Sequence, residues 1–415
     1  IVLNILFVCL TAHLSYGQGS RYTGSYAKSA TIQHVGKSNF VIEGLEFTSN
    51  DRDLIVLYSC ENVVIKNNSF AASPAKRGIY LDNCKNITII DNTFDNVHTG
   101  LVAHNSRGIK FEYNDVKNVG GPMKEEDKNN GFVALFDKVN GEGNSISYNV
   151  SENIFGQSSP GDLINLNQSN GMAQSPIVVK GNWIRGGGPS PSGGGIILGD
   201  IGGSYQVAED NIVVDGGQYG ISIAGGHDIA LRNNKIYGSK NYFTNVGLYA
   251  CNWYEENLGK SYNITVAGNV VNYRNKEGNI SNWWYASNVE PVSGKETNRY
   301  DPALSPSILP EQIIGRARMS VEPQPEPDPD EKHDDIVLDP SISIYKDTFD
   351  RICANCKGSI SSSASLSVLN QNGQKILSIP IIGYHTTIDN PIPSGTYTVM
   401  VENDARLQIK KIVIN

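Results

Sequence analysis

The sequence predicts an all-β protein: a right-handed, single-stranded parallel β-helix followed by a small C-terminal β-sandwich. Three observations predict it. A β-run, an Asn and one more apolar strand position recur between residues 39 and 271. Gly numbers 42 and charged residues are only 18% of the 415, and few stretches carry a helical pattern. A segment of alternating Pro and acid, "SVEPQPEPDPDEKHDD" (Ser320 to Asp335), separates this region from a second group of strands.

The first residues, "IVLNILFVCLTAHLSYGQ" (1–18), read as the apolar region of a signal peptide. The apolar run is too short to span a bilayer. It lacks a starting Met and a basic lead, so the expectation is a sequence truncated at its N-terminus, from an exported protein that is secreted or held at the cell surface. The net charge of −8 argues against a nucleic-acid partner, because nothing in the sequence clusters Lys and Arg on one face.

Residues 19–319 carry the repeats. "NFVIEGLEF" (Asn39–Phe47), "NVVIKNNSF" (Asn62–Phe70) and "NITIIDNTF" (Asn86–Phe94) are successive copies, and later ones end at "ITVAGNVV" (Ile264–Val271). Most are preceded by a further short strand such as "GIYLD", "LINLN" or "GIILGD". The shorter repeats run about 22–24 residues, the period of a solenoid. Three short strands make one coil, and coils stacked about 4.8 Å apart share a core that none could bury alone. The recurrent Asn is the turn residue. Asn68, Asn92, Asn114, Asn149, Asn182, Asn211, Asn234 and Asn269 are expected to form one inward column. An amide carries both a donor and an acceptor, and so satisfies turn backbone and the next Asn together. Cys60 and Cys84 occupy equivalent places in two repeats and read as a packed stack; Cys353 and Cys356 in "CANC" are close enough to bridge.

Residues 320–339 read as a stiff, solvated linker and 340–415 as the sandwich. Asn372–Gly373 between apolar runs signals a hairpin.

The repeats over roughly Thr31 to Val271 resemble the pectate-lyase-like right-handed β-helix proteins. That group holds pectate and alginate lyases, glycoside hydrolases, epimerases and non-catalytic adhesins, and the fold alone does not choose among them. The "LNQNGQKI" hairpin, "IPSGTYTVMV" and the closing "IKKIVIN" resemble the C-terminal sorting domain of the type IX secretion system. The first resemblance implies a polysaccharide partner. The second implies contact with secretion machinery.

Chemistry is expected under the long loops "GGPMKEEDKNN" (Gly120–Asn130), "FGQSSPG" (Phe155–Gly161), "RGGGPSPSGG" (Arg185–Gly194) and "NWYEENLGKS" (Asn252–Ser261). Alternation along the strands beneath them places Leu135, Leu166 and Leu198 inward and Phe136, Asn165, Asn167 and Ile197 outward. Asp137, Gln168 and Asp200 then follow at matching offsets, with Asp137 and Asp200 two coils apart, roughly 9–10 Å by the coil rise, and Asp162 starting the intervening coil. A hydrolase would use Asp200 as general acid with Asp137 or Asp162 as base. Gly199 beside Asp200 leaves room for a sugar ring against the backbone. Asn165, Asn167, Gln168, Lys138, Arg185, His227 and Trp253 are the candidate substrate contacts. A lyase would instead need a cation to neutralise a uronate, with Lys, Arg, His or Tyr as base; no cofactor is expected, calcium being an option in the lyase case alone. The Arg-bearing motifs of pectate lyases and the Gly-His-Gly set of polygalacturonases are absent. The expectation is a monomeric polysaccharide-degrading enzyme, hydrolase ahead of lyase, with a glycan-binding adhesin as the rival. No resident metal is expected.

Overall fold

The computed structural model describes residues 24–121 and 131–315, and in the C-terminal part 337–338, 342–346, 352–356, 364–370, 375–381, 385–388, 392–393, 395–403 and 406–414. The expected signal segment, nearly all of the linker and the loop 122–130 lie outside the described residues. The chain divides into two compact units, Ile1–Ser320 and Val321–Asn415.

The first unit is a right-handed parallel β-helix. Its strands form a single sheet of 28 among the described residues, every strand pair parallel. The core is a continuous apolar file through the coils. Phe47, Phe70, Phe94 and Phe111 stack along it, with ring centroids 5.1, 4.5 and 5.9 Å apart.

The Asn column is present as the spacing implies. Asn182 shows the pattern: its Nδ2 donates to Ile146 O of the preceding coil and to Asn211 Oδ1 of the next, both at 2.9 Å. Its Oδ1 accepts from Asn149 N and Nδ2 at 2.9 and 3.0 Å. The column continues one coil further, to Asn298, which the repeat pattern did not include. The leading Asn of the copies has its own reason. Asn39, Asn62 and Asn86 hold φ of 61°, 57° and 53°, a left-handed conformation that Asn tolerates. Their amides form an outer ladder at 3.0 and 3.1 Å. Asn182→Leu is expected to destabilise the unit by roughly 1–3 kcal/mol, because buried backbone and amide groups lose their partners. Urea melts of the two proteins measure it.

Cys60 and Cys84 are buried thiols within this stack, and burial pushes the Cys84 thiol up to about 11. One detail of the alternation is corrected. Phe136 is fully buried and points inward with Ala103 and Leu166, while Leu135 faces out in register with Asn165.

The C-terminal unit holds a five-stranded and a three-stranded sheet, mostly antiparallel, around a core of residues such as Ile344, Leu366 and Val399. Strands Ser365–Leu369 and Lys375–Pro380 pair antiparallel on either side of the Asn372–Gly373 segment. The expected bridge between Cys353 and Cys356 involves a side chain outside the described residues.

Candidate functional site

One file of strands, from Ile55–Tyr58 to Trp283–Tyr285, faces the long loops. Register fixes two outward rows on it. Tyr58, Asp82, His104, Asp137, Asn167 and Asp200 form one row. Tyr80, Val102, Leu135, Asn165, Ile197, Ser222, Tyr249 and Trp284 form the other.

Asp200 reaches its row through a bulge. Asn165 pairs with Ile197 but Asn167 with Asp200, so Leu198 and Gly199 oppose a single residue. Gly199 takes φ +64°, and a Cβ there would stand 2.1 Å from Gly225 O. Its glycine therefore serves the bulge that aims Asp200, and not the approach of a sugar, as the sequence suggested.

Where the two rows pass beneath the loops they floor a cleft of about 680 Å³. Asp162, Asn165, Asn167 and Asp200 lie on its floor; Ser190, Pro191 and Ser192 of the Gly-rich loop roof one side. Tyr249, Trp253, Tyr254 and Trp284 wall the other. Trp253 and Trp284 stand 5.9 Å apart at 45° and are exposed.

Asp162 and Asp200 share one ligand. Asn165 Nδ2 donates to Asp162 Oδ2 at 3.1 Å and to Asp200 Oδ2 at 2.9 Å. These two oxygens can be no farther apart than the two bonds laid end to end. Asp162 Oδ1 also accepts from Gly194 N at 3.1 Å and from the Tyr219 hydroxyl. Gly194 makes this possible, since a Cβ there would meet the Tyr219 ring at 2.5 Å. Desolvation outweighs these donors and the neighbouring Asp200 adds repulsion, so the Asp162 carboxyl is raised to about 6. Asp200 Oδ1 accepts from the Tyr254 hydroxyl at 2.7 Å. Its two oxygens are thus both held, which fixes the plane of the carboxylate. Burial pushes the Tyr219, Tyr249 and Tyr254 phenols upward, so all three stay neutral donors.

Of the residues picked from sequence, the structure gathers Asp162, Asn165, Asn167, Asp200 and Trp253. Asp137 lies in the row of Asp200, but its carboxylate is bonded to His104 Nδ1 at 2.7 Å and is not part of the cleft lining. Lys138, just past the strand Ala134–Asp137, and Gln168, within the strand Ile164–Asn170, hold left-handed φ of 55° and 46° and are not part of the cleft lining. Arg185 points elsewhere, pairing with Glu152 at 2.8 Å and with the carbonyls of Pro310 and Glu311. His227 opens the strand His227–Arg232, outside the cleft lining, bonded to Asp228 at 2.6 Å and stacked on Tyr262 at 4.5 Å. Nothing in the sequence marks Tyr219 and Tyr254 as carboxylate partners. Tyr219 is 57 residues from Asp162 in an ordinary strand, and no spacing signals that contact.

Residues 30–209 match a family described as a right handed beta helix region. No curated protein matches the chain. Among solved structures, the chain is similar to the catalytic domain of GH87 alpha-1,3-glucanase in complex with nigerose, with a TM-score of 0.38 and 11% identity. That likeness covers 70% of this chain and 62% of the other, so this chain spans less than two thirds of that structure's length.

Proposed function

We propose that the cleft hydrolyses a glycosidic bond, with Asp162 as general acid and Asp200 as its carboxylate partner. The observation that carries this reading is the pair itself: two carboxylates tied to one amide nitrogen, one of them raised to about 6, beside an aromatic wall. A carboxyl with a raised pKa is protonated when a glycosidic oxygen needs a proton. Aromatic faces such as Trp253 suit the C–H side of a sugar ring. Lyase chemistry has less support, since no Lys, Arg or His lines the cleft among the described residues to neutralise a uronate. An adhesin needs no desolvated acid at the base of its groove.

We read the pair as a retaining one. Retaining carboxyl groups stand roughly 5–5.5 Å apart and inverting ones roughly 6.5–9.5 Å. The shared Asn165 nitrogen draws the nearest oxygens of Asp162 and Asp200 together, which suits the closer arrangement. Asp200 would then attack the anomeric carbon while Asp162 protonates the departing oxygen. Water, deprotonated by Asp162, would release the sugar and restore both groups.

Two measurements test this. Proton NMR of the first product should show the anomer of the substrate; the opposite anomer removes Asp200 as nucleophile. Turnover should fall as pH rises past about 6, as Asp162 loses its proton. The same group affects stability. Its folded pKa lies above the unfolded value of about 3.9, so its contribution is complete below that value and is lost as pH rises through about 6. In Asp162→Asn that loss, on the order of 2–3 kcal/mol, should vanish from a pH series of melts.

We also propose that the C-terminal unit is an export address of the type IX kind, on its hairpin and its closing strand Arg406–Ile414.

A further inference from the structure

Three aromatic side chains outside the cleft gather at one place on the β-helix. Between ring centroids, Phe155 lies 5.9 Å from Phe243 and 6.5 Å from Tyr242, and Tyr242 lies 5.1 Å from Phe243. Phe155 follows strand Val150–Glu152 and Tyr242 follows strand Lys235–Gly238, three coils later in the same file. The rings meet across the two coils between, yet Phe155 and Tyr242 are 53% and 64% exposed. Single exposed rings are ordinary, but contiguous apolar surface on loops is where binding concentrates. Each ring also stands on a tight turn. Gln157 N donates to Ile154 O at 2.9 Å around Phe155, and Asn241 Oδ1 accepts from Tyr242 N at 2.8 Å. A platform fixed in this way loses little freedom when a ligand settles on it.

Beside the rings lies a second cavity, of about 220 Å³, which shares no lining residue with the cleft. Phe155 and Phe243 supply its apolar lining; Asp215, Ser239 and Asn241 supply polar groups. Asp215 Oδ1 accepts from Ser239 N and Oγ at 2.7 and 2.8 Å, which holds the carboxylate in place. A carboxylate offers about four acceptor sites, and this turn uses two. Gly186 and Gly187 complete the lining. A Cβ on Gly187 would stand 2.0 Å from Gly216 O, so the close approach of the two coils keeps that part free of side chains.

We propose that this cavity and its rings form a second glycan site, holding one pyranose unit of a polysaccharide away from the cleft. The C–H face of the sugar would lie on Phe155 and Tyr242, with hydroxyls donating to Asp215 and accepting from the Asn241 amide. The proposal rests on the reading that this protein engages glycans, but not on cleavage. Two sites on one rigid β-helix favour long chains, because a polymer held at one is kept close to the other.

The test is affinity electrophoresis of the full chain in gels containing dextran, glycogen, laminarin, xylan, polygalacturonate or alginate. Retardation is expected in at least one gel. Phe155→Ala and Tyr242→Ala should each weaken it at least about twofold, and the double variant more. Trp253→Ala removes part of the cleft wall, and adding Tyr242→Ala to it should weaken retention further. Melting temperatures of the ring variants should stay near that of the wild type, since both rings are exposed. Retention by none of the polysaccharides would overturn the proposal. So would wild-type retention in the double variant, with or without a lowered melting temperature, because the rings would then serve only to tie the two loops together. Reducing ends are assayed on the retaining polysaccharide. Weakened retention in Tyr242→Ala, with Asp162→Asn and Asp200→Asn cutting as fast as wild type, sinks the hydrolase reading alone. Loss of cutting in those two, with unchanged retention in the double ring variant, sinks this one alone.

Discussion

Asp162→Asn and Asp200→Asn are each expected to lower turnover by at least about a hundredfold, with the β-helix still folded. The amide keeps the shape of the carboxyl group and the burial of the site, so chemistry is what changes. The two variants should differ in one respect. Asp162→Asn removes the group raised to about 6, so its residual rate should no longer fall above that pH. Asp200→Asn keeps Asp162 and its bonds to Tyr219 and Gly194, so the residual rate should still fall with rising pH. Steady-state rates across pH check both. Asp137→Asn is the control: its carboxylate is taken by His104, and its rate should stay near that of the wild type.

Phe70→Ala is expected to cost about 3–5 kcal/mol, a larger stability loss than that of Asn182→Leu. Phe70 is fully buried, stacked 5.1 Å from Phe47 and 4.5 Å from Phe94, in planes within 10° and 4°. Each coil presents only one such ring, so the hole opens between two rings held in place by their own coils. The neighbours cannot close it without shifting strands bonded above and below. Solenoid stability is close to a sum of coil and interface terms, and this change weakens two interfaces at once. Urea unfolding reads the loss; a change under about 1 kcal/mol would mean that the coils repack freely around the gap.

The coils were legible because their constraint is local and periodic. Each Asn of the column must satisfy the same turn amides, so the residue returns at a fixed offset whatever happens in the loops. The shared row of Asp137 and Asp200 was legible for a related reason, since parallel register carries one position to the next; the middle place, expected for Gln168, belongs to Asn167. Phase was harder. "FVALFD" is apolar at each of its first five positions, so alternation could not tell Leu135 from Phe136, and a slip of one residue exchanges the two faces.

The carboxylate pairing was less legible. Sequence spacing gave Asp200 two possible partners, and coil rise alone cannot rank them. What ranks them is Asn165, whose single amide nitrogen reaches both Asp162 and Asp200, while His104 occupies Asp137. Arg185 misled for the opposite reason. It opens the roof loop, yet its side chain turns to Glu152 and to the carbonyls of Pro310 and Glu311, a segment more than a hundred residues away. The tyrosines that hold the two carboxylates come from later coils, 57 and 54 residues on, where no local rule points back to an acid.

The most direct measurement is product formation by the purified protein on neutral and uronate polysaccharides, with reducing ends and the ultraviolet absorbance of unsaturated products read in parallel. The expected result is reducing ends from a neutral polysaccharide, none of the absorbance, and loss of most of that product in both Asp162→Asn and Asp200→Asn. Unsaturated product from a uronate, or reducing ends released as fast by the two variants as by the wild type, would contradict the assignment of the cleft as a carboxylate-pair hydrolase.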